Sequence, residues 1–185
     1  IAFSQLGPRL ASRIGVRSVI AGGLLLTSIG LLWMSAVNVS SGYLQVVGGL
    51  SLAAAGMALV FPAATEAIVG SLPQDKAGVA SAVNDTTREV GAAVGIALLG
   101  SLMSSGYRRS VGDAFDSLPA AAAEAARDSV GAALHVAQQA PESVRSGLVL
   151  TARTGFAEGY SLAMMVGAAL LVTTAAVVFR WFPKD

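Results

Sequence analysis

The chain contains no cysteine and a single histidine, His135. The first absence excludes a disulfide framework and thiolate metal sites, and one imidazole cannot assemble a metal cluster. Charge is scarce as well. Asp, Glu, Lys and Arg make up 12% of the 185 residues, against roughly a quarter in soluble domains. The net charge of +1 leaves no basic patch of the kind nucleic acid requires, so nucleic acid is not expected as a partner. Catalytic signatures are missing too. The sequence has no Ser/His/Asp set, and its Gly-rich stretches lack the preceding strand and terminal Lys of a phosphate loop. The expectation is a protein that is not an enzyme and carries no metal or cofactor.

What remains is apolar: hydrophobic residues make up 54% of the chain. A bilayer core of roughly 30 Å is crossed by about 20 such residues in a helix, and lone strands cannot satisfy their backbone groups in lipid. Four stretches qualify: 18–38, 43–71, 78–105 and 156–181. Residues 1–7 read as a fifth, truncated span. No basic segment precedes a short apolar run, so the start is not a signal peptide; it reads as the end of a helix that begins upstream. The fold expected is an all-α membrane protein, a partial helical bundle of about four full spans plus the truncated one.

Sidedness follows from Lys and Arg. Arg9, Arg13 and Arg17 lie in one loop, Lys76 in a second, and Arg180 and Lys184 near the C-terminus. Threading the spans in order puts all of these on one side, the cytoplasmic one by the positive-inside rule. Residues 106–155 then form an extracytoplasmic loop. Its five arginines are nearly balanced by Asp113, Asp116, Glu124, Asp128 and Glu142, and long loops weigh less in the rule. Apolar residues at helical spacing (Val130, Leu134 and Ala137, then Val144, Leu148 and Thr151) predict two short amphipathic helices folded as an external hairpin, the second running from Pro141 to near Gly155. Such a hairpin suits a shielding cap or lid, or the docking of a partner.

Within the spans, small residues are dense. Gly91 and Gly95 form a GxxxG, and Gly48, Gly49, Ala53, Gly56 and Ala63 line the span before it. Small residues let helices approach closely where no hydrophobic effect drives them together. Pro62 in mid-span removes a backbone hydrogen bond and predicts a kink, either static or a hinge.

One polar cluster interrupts this surface: Asn84, Asp85, Arg88 and Glu89, with Glu66 on the preceding span. The uncharged run from Val90 to Ser105 is about 24 Å long, so the cluster falls near the inner interface. Asp85, Arg88 and Glu89 share a helical face. Arg88 is expected to pair with Glu66 across the helices, or with Asp85 along its own helix. Two readings stay open: gating or coupling through Glu66, Asp85 and Arg88, or structural charge pairing. Met57, Phe61 and Thr65 are the candidate residues to line a substrate path.

The segment "GPRLASRIGVR" resembles the cytoplasmic loop motif of the major facilitator superfamily, matched at Gly7, Leu10, Arg13, Gly15 and Arg17. Ser12 stands where the family usually has Asp, and Pro8 occupies the variable position. Residues 56–102 resemble the late-helix region of the fourteen-helix drug:proton antiporters, with a Pro-containing span, then Pro73, Gly78, Ala80, Ser81 and Ala82, then Asn84, Arg88, Gly91 and Gly95. The resemblance implies the C-terminal part of a multidrug efflux transporter in the cell membrane. It implies alternating access, a small amphipathic or cationic substrate, protons as the driving ion, and packing against N-terminal helices that hold the family's best-known proton-coupling acids. Composition by itself leaves open a facilitator for a lipid, sugar or metabolite, or a non-transporting membrane scaffold subunit.

Overall fold

The computed structural model describes residues 14–182. Six α-helices follow one another: α1 (Val16–Ser35), α2 (Tyr43–Gly70), α3 (Ala77–Val111), α4 (Ala120–Asp128), α5 (Val130–Gln139) and α6 (Glu142–Trp181), with a 3-10 turn, Gln74–Lys76, leading into α3. The described residues contain no strand. Helices α1, α2, α3 and α6 are each long and apolar enough to cross a bilayer, so the chain is an all-α membrane protein.

The helices form a row, α2–α1–α6–α3, with α3 also touching α2. Small residues decide the close contacts. A Cβ on Gly30 would sit 2.5 Å from the Ala53 amide nitrogen, and one on Gly23 would sit 2.8 Å from the Gly56 carbonyl. Thr27 uses that proximity: its hydroxyl donates to the Gly23 carbonyl at 2.9 Å and approaches the Ala53 carbonyl of α2 at 3.3 Å. Ser28, fully buried, donates across to the Ala168 carbonyl of α6 at 3.1 Å. In lipid, where apolar contact alone gives no preference for a neighbour, such hydrogen bonds and close backbones fix which helices meet.

One end of the bundle is closed by Val19, Ile20, Leu24, Val60, Ala63 and Ala175, with Phe182 against them. The opposite end carries a second core. Tyr107, Val111 and Phe115 of the α3 end pack on Ala123, Ala126, Ala133 and Ala137 of α4 and α5 and on Leu148 and Ala152 of α6. The Tyr107 hydroxyl donates to the Ala126 carbonyl at 2.8 Å. Exposed ion pairs Arg108–Asp128 and Arg127–Asp116 decorate this cap.

The cap differs from the expected hairpin. The Ala-rich stretch is two helices, broken at Ser129, whose backbone is extended (φ −152°, ψ 133°). The stretch from Pro141 to Gly155 is not a separate helix but the first turns of α6. Gly155 does not break it, because the missing side chain accommodates Val111: a Cβ there would meet the Val111 side chain at 2.8 Å.

Candidate functional site

Helices α2 and α3 touch over only a short stretch, and between them lies an open cavity of about 700 Å³ lined by Met57, Phe61, Asp85, Arg88, Glu89, Gly91 and Ala92. Both walls follow from helical spacing. Met57 and Phe61 lie one turn apart on α2, and Asp85, Arg88, Glu89 and Ala92 recur at three- and four-residue intervals on α3. The α3 wall is exposed within this chain; of residues 81–90 only Asn84 is buried.

Arg88 is the centre of the site. Its guanidinium lies over the Phe61 ring, 4.8 Å from the centroid, the geometry of a cation–π contact. Among the described residues the ion pairs are Arg108–Asp128, Arg127–Asp116 and Arg145–Glu142. The expected pairs of Arg88 with Glu66 or Asp85 are therefore not formed in this conformation. Glu66 is exposed on α2, one turn beyond Pro62.

The link between the two walls is a short polar chain. Thr65 on α2 donates to Asn84 Oδ1 at 3.4 Å, and Asn84 Nδ2 donates to Asp85 Oδ1 at 3.2 Å. Thr65 thus bridges the helices rather than lining the cavity. Asn84 is one of the few buried polar side chains, 6% exposed, and it connects α2 to a carboxylate at the rim. The sequence placed Asn84 in the cluster but did not single out this bridging position; an amide flanked by Val83 and Asp85 was the only signal.

The other expected positions divide by place. Gly7, Leu10 and Arg13 lie outside the described residues. Gly15 caps α1 with φ 83°, a left-handed backbone that glycine adopts without strain. Arg17 stacks on Phe179 of α6, 5.0 Å from the ring centroid, and so ties the start of α1 to the end of α6. Pro62 sits inside α2, which continues through it; its missing amide leaves the Ala58 carbonyl without its usual helical donor. A Cβ added at Gly91 or Gly95 would meet nothing within 4 Å, so the GxxxG face is uncovered by the described residues. The glycines that pack tightest against a neighbouring helix here are Gly23, Gly30, Gly49, Gly56, Gly106, Gly155 and Gly159, with Gly167 next.

No family model matches the chain. Relatives do. It is 31% identical over 177 residues to the methyl viologen resistance protein SmvA of Salmonella typhimurium, an alignment covering 94% of this chain and 34% of that protein. It is 31% identical over 192 residues to the multidrug resistance protein Stp of Mycobacterium tuberculosis, covering 98% of this chain and 35% of Stp. With the multidrug efflux pump LfrA of Mycolicibacterium smegmatis it shares 29% over 170 residues, 92% of this chain and 34% of the pump. The chain spans about a third of the length of the curated relatives it matches. Four apolar spans and near-complete alignment to efflux and resistance proteins lead to one conclusion: the chain is homologous to multidrug efflux and resistance proteins of the major facilitator type.

Proposed function

We propose that the chain is the C-terminal part of a proton-coupled multidrug efflux transporter that exports amphipathic or cationic compounds by alternating access. The observation that carries this reading is the cavity between α2 and α3. Met57 and Phe61 give it an apolar, polarisable wall, and Asp85 and Glu89 give it carboxylates. A greasy cation needs both: a π face or thioether for its body and an acid for its charge.

Arg88 supplies the coupling in this reading. It holds the Phe61 face that a cationic substrate would take. A substrate cation displaces it, and the freed guanidinium turns to Glu66 or Asp85. Protonation of those acids reverses the exchange, so substrate and proton compete through one arginine. The uncovered faces of α2 and α3, including Gly91 and Gly95, pack against the N-terminal helices of the whole transporter. In the cell membrane, the end bearing Arg17, Lys76 and Arg180 faces the cytoplasm, and the cap of residues 106–155 lies outside; the clustering of these cations at one end of the bundle supports this orientation.

The test is reconstitution of the whole transporter carrying this segment into liposomes. With an acidic lumen, outward proton flow drives uptake of a lipophilic cationic dye, and a protonophore abolishes it. Dye movement indifferent to the gradient contradicts proton coupling.

A further inference from the structure

Asn84 is a buried polar side chain that the export reading leaves without a task. Within this chain α3 buries Ala80 and Asn84 near its start, then Tyr107 and Val111 at its end. Asn84 is 6% exposed, while Val83 and Asp85 on either side of it are exposed. Neither Asn84 nor Thr65 lines the cavity between α2 and α3; Asp85 does. A carboxamide withdrawn from water is costly unless its oxygen and its nitrogen both find partners. Here both do: the oxygen accepts from the Thr65 hydroxyl of α2 at 3.4 Å, and the nitrogen donates to Asp85 Oδ1 at 3.2 Å.

Chemistry fixes the direction of this chain. An ionised carboxylate has no proton to give, so Asp85 must take its hydrogen bond from the amide nitrogen. The amide oxygen is then turned to α2, where the Thr65 hydroxyl supplies a donor. An Asp at position 84 would lack the donor that Asp85 needs, and a hydrocarbon would lack both groups. Residues 84 and 85 lie about 100° apart around the helix. The amide therefore reaches α2 while the carboxylate it holds stands at the cavity rim.

We propose that Asn84 is a positioning residue that sets the preference of the cavity for charge. Braced by Thr65, its amide anchors one oxygen of Asp85 and leaves the other for a cationic ligand. This rests on the export reading above and names the group behind its selectivity. Asn84 itself touches no ligand, so its whole effect passes through the Asp85 carboxylate. A neutral compound of the same shape gains nothing from it.

Calorimetric titration of the whole detergent-purified transporter with tetraphenylphosphonium, and with the neutral triphenylphosphine oxide, tests this. Asn84→Leu, close in size, should weaken binding of the cation about tenfold and leave the neutral compound unchanged. Thr65→Val, which frees the amide to turn, should weaken the cation severalfold, and Thr65→Ser should restore it. In an Asp85→Asn background, Asn84→Leu should make no further difference, because the carboxylate it serves is gone. Thermal melts identify any variant that fails to fold; if Asn84→Leu is one, the Thr65→Val and Thr65→Ser pair decides. Equal weakening for both compounds, or a loss that persists without the Asp85 carboxylate, assigns Asn84 to helix packing and overturns the proposal. So does cation binding that Asn84→Leu leaves intact. Failure of the unaltered transporter to bind the cation at all instead removes the export reading, and this inference with it.

Discussion

Gly106 of α3 and Gly159 of α6 meet backbone to backbone: a Cβ on Gly106 would lie 2.7 Å from the Gly159 Cα, and one on Gly159 would lie 2.8 Å from the Tyr107 amide nitrogen. No flexible side chain can yield at this crossing, because the nearest atoms are main chain. The two longest helices are joined here, and the cap of α4 and α5 stands on that junction. Gly159→Val is expected to destabilise the fold by about 1–3 kcal/mol, the usual cost of overpacking. A thermal melt in detergent checks it; an unchanged midpoint would mean the helices are further apart than described.

Gly91 gives the opposite expectation. Among the described residues nothing lies within 4 Å of a Cβ placed there, so Gly91→Ala should leave the stability of this unit unchanged or raise it by up to about 1 kcal/mol through helix propensity. In the whole transporter the same face is proposed to pack against other helices. Gly91→Leu should there reduce folded yield, and full yield with full transport would show that face to be bare.

The legible part of this fold was its apolar length, and the illegible part was rotation and continuity. Charge-free runs such as 18–38 announce a span because no other environment suits them. Hydropathy, however, says where lipid ends and not where a helix ends. Residues 142–155 are polar enough to leave the bilayer but contain nothing that stops a helix, so α6 continues through them. Likewise, spacing put Arg88 and Glu66 at similar depth without fixing how α2 and α3 are turned. The rotation observed brings Phe61, not Glu66, under the guanidinium. Small residues were legible as a class, yet sequence could not say that Gly49 and Gly56 would be buried against α1 while Gly91 and Gly95 would face open space.

Arg88 and Phe61 should behave as a pair. A cation–π contact of this kind contributes about 0.5–2 kcal/mol. If it gates the cycle, Phe61→Leu and Arg88→Ala should each slow dye export roughly two- to thirtyfold with membrane abundance retained, and Phe61→Tyr should be close to unaltered. Export measured against abundance in the same membranes decides: parallel losses of both would assign the pair to folding.

The absence of cysteine makes the topology directly measurable. Ser117 in the cap and Gln74 in the α2–α3 link are both exposed, at opposite ends of the bundle. A cysteine at 117 should react with an impermeant maleimide on intact cells, and one at 74 only after the membrane is opened. The reverse pattern would invert the proposed orientation.

The cap's buried hydrogen bond should matter more than its surface charges. Tyr107→Phe removes the donor to the Ala126 carbonyl and is expected to cost about 1 kcal/mol. Arg108→Ala breaks an ion pair whose partners are both half exposed and should cost about 0–1 kcal/mol. Melting midpoints of the two variants, compared side by side, test the ranking.

Substrate protection bears most directly on the central claim, that the cavity between α2 and α3 is a wall of the export path. A cysteine placed at Met57 in the whole transporter is labelled with a small thiol reagent, with and without a lipophilic cation. The account predicts labelling that slows as the cation is added, while a cysteine at Gln74 labels at a constant rate. Labelling at position 57 that is blind to every exported compound would contradict it.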